Sequence, residues 1–379
     1  MAKRSKGQTL EERIIAINIS SNREMLKKML DGNIAVEKLL FDCVGKIAKA
    51  GERTGFHSDD AEFLLKNYPA QAKQVETALA ALHDSLVETI QSNTEAAWLA
   101  AEDKNDAIID AITQATGLTK EQMKQYYYRN TEAMSAAIKR ADKGFNLSQN
   151  VWQLTDELRG EMELALDIAL GEGKSAAALA TQMKKYLRDP DKLFCRVRDK
   201  HGALKLSKNA AAYHPGRGRY RSSYKNALRM TATEANIAYR TADYERWQRM
   251  DFVQGIEIRP SSTNHPEVDI CDELQGIYPK DFKWTGWHPF CRCNAVPKME
   301  DFDSFIAKQQ EYIDNGTKPD YSDGEITEVP KNFTRWVKDN EERIAGASSL
   351  PYFLADNGKV SRSKYKLMLS NAVQMKQQK

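Results

Sequence analysis

The sequence predicts a mainly α-helical fold. A long N-terminal helical region precedes a small α+β core whose turn-rich loop is stapled by cysteine and histidine. Three observations carry this. Apolar residues recur three and four apart through most of the first half. One short stretch, "FVQGIEIRPS", carries β-branched residues in alternation and stops at a proline. Three of the five cysteines and two of the six histidines fall between Pro260 and Pro297.

In chain order, "TLEERIIAINISSNREMLKKMLDGNIAVEKLLFDCVGKIAKAG" has the period of a long helix, with Cys43 on its apolar face. The pattern continues past Pro69, which marks a break or a first helical turn. In "GLTKEQMKQYYYRNTEAMSAAIK", Thr119 and Gln122 have capping-box spacing and predict another helix. Ser148 predicts the cap of the next, and Ser175 the cap of "KSAAALATQMKKYL" after a Gly-x-Gly stop. "SSYKNALRMTATEANIAYRTADYERWQRMDF" reads as a long amphipathic helix with Leu228, Ala232, Ala235 and Tyr239 near one face, and Trp247 two turns on. After the strand, 260–297 is turn-rich. "MEDFDSFIAKQQEYIDNG" is a helix, "TKPDYSDGEITEVPKN" a linker ending in a short strand, and "NFTRWVKDNEERIAGASSLPYFLADNGK" a helix, an exposed turn and a tail. The last fifteen or so residues, rich in Lys, Ser and Gln, are expected to fray.

Mean hydropathy is −0.64 and charged residues make up 29%, which predicts many solvated helical faces. No run of 18 apolar residues occurs, so no membrane partner is expected. The basic N-terminus is followed by no apolar segment of the secretory kind, which points to a reducing cytoplasm where clustered cysteines favour metal over disulfides. Net charge is +3, too balanced to force a nucleic-acid partner. Yet fourteen Lys or Arg stand against three Asp from Lys184 to Arg229. This stretch holds "HPGRGRYRSSYK", a loop with little periodicity. It is either a solvated loop paired with acidic helices or a contact for phosphates or an acidic protein, with Arg217, Arg219, Arg221 and Lys225 as the contact residues.

The chemistry-bearing cluster is His265, Asp269 and Cys271 in one turn and His288, Cys291 and Cys293 in the other. Zinc takes four tetrahedral N or S ligands, usually as two close pairs from two turns. Sixteen residues separate Cys271 from His288, a loop length suited to a small zinc knuckle. The favoured set is Cys271, His288, one of Cys291 and Cys293, and His265, holding a structural zinc. Rival readings are buried free thiols, a disulfide, or a catalytic thiol served by His288. A redox pair is disfavoured, because no Cys-x-x-Cys occurs. Cys43 and Cys195 read as core residues; His57, His83, His201 and His214 read as ordinary surface or core positions. No phosphate-binding glycine loop, Ser-His-Asp order or His-Glu-x-x-His appears, and no carboxylate pair stands out as catalytic.

"TATEANIAYRTADYERW", "DICDELQGIYP" and "HPFCRC", in that order, resemble the phage Mu F-like minor head proteins, the head morphogenesis family of tailed phages and prophages. Thr233 and Glu234 match the family helix. Cys271, Leu274 and Gly276 match its cysteine turn, and His288, Pro289, Cys291, Arg292 and Cys293 its second turn. "LSQNVW" and "GEGKSAAALATQMKKYL" are similar to the helices that precede this core. The likeness covers roughly 147–299. Many members carry a Cys-x-x-Cys before Leu-x-Gly; here Val268 stands at the first cysteine, and His265 is the candidate substitute.

The resemblance implies three regions: an N-terminal helical region over 1–146, a head-morphogenesis core over 147–300 with its Cys/His turn at 260–297, and C-terminal helices and tail over 301–379. It implies a non-enzymatic minor head protein acting in procapsid assembly and DNA packaging or delivery at the portal vertex. Its expected partners are the portal protein, scaffold or major capsid protein, with DNA as a further candidate. Its expected location is the virion head, and the bacterial host cytoplasm during assembly. The alternative is a zinc-dependent nuclease or transferase effector carried by a phage-like element, with His288 as base.

Overall fold

Two long helices, α1 (Leu10–Glu52) and α2 (Pro69–Thr116), dominate the first third of the computed structural model. Pro69 opens α2, where a residue without an N–H costs nothing because the first-turn donors are unpaired anyway. The structure describes residues 9–56, 63–140, 146–171, 174–189, 196–198, 201, 204–206, 222–261, 269–316, 318–347 and 350–357. The fold is mainly helical with a small antiparallel sheet, as the periodicity predicts. No described helix is long and apolar enough to cross a membrane. Two compact units are built from interleaved chain segments. One comprises Met1–Met29, Thr94–Ile138 and Thr233–Lys379; the other comprises Leu30–Asn93 and Lys139–Ala232.

The second unit is helical apart from a small ribbon. Its core takes Val36, Leu40, Val44 and Ile47 from α1 and Leu79, Leu82, Leu86 and Ile90 from α2. Helices α4 (Leu147–Gly171) and α5 (Ala176–Arg188) add Val151, Leu154, Leu158, Leu179, Met183 and Leu187. The spacing of three and four puts each set on one face, so burial of that face drives assembly. Cys43 is buried here, as expected, and its thiol, pushed up to about 12 by burial, donates to the Ala78 carbonyl. Ser175 caps α5 through Ala178 N–H. The cap of α4 lies two residues earlier than Ser148: Asn146 and Gln149 exchange the reciprocal bonds of a capping box. Ser148 Oγ instead meets His83 Nε2 at 3.1 Å, so His83 ties α2 to α4. The basic segment, read as an irregular loop, contains a two-stranded antiparallel ribbon, β1 (Arg196–Arg198) and β2 (Leu204–Leu206).

Two sequence readings in the first unit need correction. The helix expected after Thr119 is a capped turn, a 3-10 turn at Lys124–Tyr127, and a separate short helix α3 (Thr131–Ile138). The Thr119–Gln122 bonds do form, but Asn130 caps a new start at Thr131 by accepting from Ala133 N–H. The long helix α6 (Ser223–Arg249) is not amphipathic over its second half. From Met230 to Trp247 nearly every position is buried, polar residues included.

After α6 comes β3 (Val253–Arg259), central in an antiparallel sheet of order β4–β3–β5. The stretch 260–297, expected to lack regular structure, supplies a one-turn helix α7 (Ile270–Glu273), strand β4 (Gly276–Pro279) and most of β5 (Asn294–Met299). Ile256 pairs with Tyr278 on one side and with Pro297 on the other. Pro297 is tolerated because β5 is an edge strand. Helix α8 (Phe302–Asn315) is capped by Asp301 and closed by left-handed Gly316. The linker after it carries no strand among the described residues. Helices α9 (Lys331–Asp339), α10 (Glu341–Gly346) and α11 (Tyr352–Ala355) follow. The turn read as exposed is buried at Phe353 and Leu354, which join the core of this unit.

Candidate metal centre

Cys271 is presented by α7, a single turn that would not hold alone. It is fixed by a capping box: Asp269 Oδ1 accepts from Cys271 N–H at 2.7 Å, and Asp272 Oδ2 accepts from Asp269 N–H at 3.0 Å. The second turn is made by His288-Pro289-Phe290-Cys291, closed by Cys291 N–H to His288 carbonyl at 3.1 Å. Pro289 sets the first corner, and Phe290 takes φ 62° at the second, a left-handed position that usually goes to glycine. The reversal brings His288 and Cys291 to the same side. Gly286, at φ 115°, lets the backbone run close beneath: a Cβ there would stand 3.1 Å from both Cys291 Cβ and Asn236 Nδ2. Cys293 is the residue before β5, so the sheet anchors it.

These elements converge. Cys271, Cys291 and Cys293 sulfurs all lie within 4.8 Å of one another, and so do the ligand atoms of Asp269, Cys271 and His288. Cys271 belongs to both groups. Its Sγ is 3.8 Å from Cys291 Sγ and 3.0 Å from His288 Nε2. Two thiolates about 2.3 Å from one tetrahedral zinc sit roughly 3.8 Å apart, so the sulfur pair already has the edge of such a site. His288 Nδ1 donates to the Pro289 carbonyl at 2.7 Å, which leaves Nε2 as the free lone pair facing Cys271. Asp269 Oδ2 lies 3.6 Å from the same Nε2. The donor set fits a divalent, thiophilic metal.

The electrostatics point the same way. Cys291 is held well below the usual thiol range because Cys271 and Cys293 S–H groups donate to it, against the effect of burial. Cys271 is pushed up as the donor to Cys291 and Cys293 and by burial. Cys293 is drawn down by Cys271, but Cys291 and burial outweigh this and push it up. One thiolate therefore carries two neighbouring protons, and a dication would displace both. The thiol of Cys271, raised in this way, is not the nucleophile of the three; the lowered one is Cys291. The four described cysteines are all free thiols. The three cysteines are 1–5% exposed, whereas the His288 and Asp269 side chains are 35% and 43% exposed, so the cluster has a dry thiol side and a wet His/Asp edge.

The structure places both Cys291 and Cys293 in the cluster, where the sequence reading needed only one. His265 lies outside the described residues, as do Arg217, Arg219, Arg221, Cys195, His57 and His214. Lys225 is in the first turn of α6, half-buried, with its N–H bonded to Ser222 Oγ.

Two surrounding features were not foreseen. An aromatic wall backs the turn: Trp287 meets Tyr278, Phe353 and Trp284 with centroids 5.7, 5.1 and 5.9 Å away, and Phe333 meets Phe282 at 5.5 Å. Each such pair contributes about 0.5–1.5 kcal/mol beyond burial. Behind it runs a buried polar network between α2 and α6. Lys104 Nζ lies 2.5 Å from Asp243, which also accepts from Asn105 at 2.9 Å. Arg246 bonds Glu102 and Asp106, each at 2.6 Å, and Trp247 Nε1 donates to Asn105 at 2.7 Å. Arg240 bonds the Cys293 carbonyl, and Asn236 the Thr285 carbonyl at 3.4 Å. The helix and the turns that carry the family resemblance are thus bonded to one another.

No family model, curated protein or solved structure matches this chain.

Proposed function

We propose that this is a non-enzymatic minor head protein of a tailed phage or prophage, of the Mu F-like kind, with a structural zinc clasp. Cys271, Cys291, Cys293 and His288 hold the ion, and Asp269 stands against His288. The observation that carries the reading is the buried three-thiol cluster at the "HPFCRC" turn, tied to the helix bearing "TEANIAYR". Zinc supplies a cross-link between two turns, each of which has too few residues to hold its own shape. The protein's partners are then the portal protein and the scaffold or major capsid protein. The basic segment that includes Lys225 meets DNA or an acidic face of one of them.

Two measurements test this. Mass spectrometry of purified particles should find the chain in few copies, and co-expression should recover it with the portal protein; absence from both ends the head-protein reading. Elemental analysis of purified protein should give about one zinc per chain, and a value well below that ends the clasp. A second reading, a zinc-dependent nuclease or transferase effector, draws on the half-exposed Asp269–His288 edge, where a water or substrate could reach the ion. Under it, Cys293→Ala leaves a folded protein without activity; under the clasp it costs folding cooperativity.

A further inference from the structure

Arg240 is a buried cation whose carboxylate neighbour among the described residues, Asp243, is already taken by a second cation. Lys104 and Arg240 are both 3% exposed, and Asp243 at 1% is the carboxylate they share. Lys104 takes it at 2.5 Å, whereas Arg240 Nη1 stands at 3.9 Å. Burial, partly opposed by Asp243, lowers Lys104 to about 8, which leaves it charged at neutral pH. Two buried cations therefore face one anion. Arg246 with Glu102 and Asp106 brings the network to three cations and three carboxylates, yet among the described residues Arg240 itself has no carboxylate at hydrogen-bond distance, and a poorly paired buried charge is costly.

Arg240 instead reaches the cysteine turn. Its Nη2 donates to the Cys293 carbonyl and, at 2.9 Å, to Asn22 Oδ1. Its guanidinium lies 5.0 Å over the Trp284 ring and 5.1 Å over Tyr239, which fix its plane. Three thiolates and one histidine around a zinc dication carry a net charge of −1, in a site whose cysteines are shielded from water. The poorly paired Arg240 cation therefore stands beside a cluster that would carry one surplus negative charge. We propose that Arg240 is the positioning residue of the metal centre, holding the Cys293 backbone in place and supplying the countercharge to the zinc-thiolate cluster. This rests on the zinc clasp proposed above and adds a residue that ligand spacing cannot reveal. The outer partners of metal ligands typically set affinity by 10–100-fold. Arg240 acts through the Cys293 carbonyl, from a buried position.

The test uses the full chain as wild type, Arg240→Met, Arg240→Lys and Asn22→Ala. Zinc affinity is read by chelator competition, thiolate ligation by the charge-transfer absorption of the cobalt(II)-loaded protein, and fold by the thermal midpoint without metal. Arg240→Met should bind zinc about 10–100-fold more weakly. Arg240→Lys, which keeps the charge, should recover most of that loss. Asn22→Ala, which removes a neutral partner of Arg240 and leaves its charge, should stay within about threefold of wild type. Equal affinity in wild type and Arg240→Met overturns the proposal. So does an equal loss in the Lys and Met variants that follows their metal-free midpoints, since that is a packing effect. If Arg240→Met does not fold, the Lys and Asn22 variants decide: a tenfold loss in Arg240→Lys, or in Asn22→Ala, overturns it. Wild type that takes up neither zinc nor cobalt removes the clasp itself, an outcome distinct from normal binding insensitive to Arg240.

Discussion

Replacing Glu161 by glutamine isolates one buried ionisation in the helical unit. Glu161 lies on α4 and is fully buried; Ser223 N–H donates to its Oε1 at 3.1 Å, and Ser223 Oγ–H donates to Oε2. Burial pushes its carboxyl from 4.5 up to about 8, against the Ser223 bonds, and Glu157 one turn away adds to the rise. Below about pH 4.5 the group is protonated in folded and unfolded chains alike. Between about 4.5 and 8 the unfolded chain releases the proton while the folded chain keeps it, so stability falls as pH rises. Above about 8 the loss is complete. At about 1.4 kcal/mol per pH unit, the cost is under about 1 kcal/mol at pH 5 and roughly 3 kcal/mol at pH 7. Glutamine stays neutral and can meet Ser223 with both ends of its amide. Urea unfolding followed by helical circular dichroism, at matched metal content, should show the two proteins within about 1 kcal/mol at pH 5 and the variant ahead by about 3 kcal/mol at pH 7. Glu157 is present in both, so its own titration largely cancels in the difference. A gap that does not change between pH 5 and 8 would refute the reasoning, because it would mean that Glu161 is ionised in the fold.

Three other perturbations have signed outcomes. Cys293→Ala should drop bound zinc to well below one per chain and broaden the thermal transition of the unit that carries it, read by elemental analysis and calorimetry. Gly286→Ala should destabilise by at least about 1 kcal/mol and weaken zinc uptake, because it places a Cβ at φ 115° against Cys291; unchanged urea midpoint and affinity would contradict the tight approach. Lys104→Met should cost about 3–5 kcal/mol by removing the close partner of buried Asp243, while Lys104→Met with Asp243→Asn should cost less than the two single changes added, as a double-mutant cycle in urea will show.

What could be read in the sequence followed local rules. The 3.6-residue period found α1, α2, α4 and α5, Ser175 declared its own cap, and alternation with a terminal proline found β3. Clustering of rare residue types found the Cys/His cluster. What stayed hidden depends on partners distant in the chain. Strand β4 has four residues and β5 contains Pro297, so neither has a pattern of its own; each exists because β3 pairs with it. Glu102, Lys104, Asp243 and Arg246 look like a solvated face until the opposing helix is seen to bring the matching charges. The role of both cysteines in "CRC" turned on Phe290 adopting a conformation that composition disfavours.

The interleaving of the two units has a consequence for biosynthesis. All of Leu30–Asn93 and Lys139–Ala232 has left the ribosome before Cys271 is translated, so the helical unit can complete its core first. The other unit must keep Met1–Met29 and Thr94–Ile138 waiting for a sheet that ends at Met299. Its Cys/His cluster is complete only at Cys293, one residue before the closing strand. Under the proposed zinc clasp, ion capture is a late event in maturation, and metal starvation should leave a nascent product whose helical half is finished and whose cysteine half is exposed to proteases.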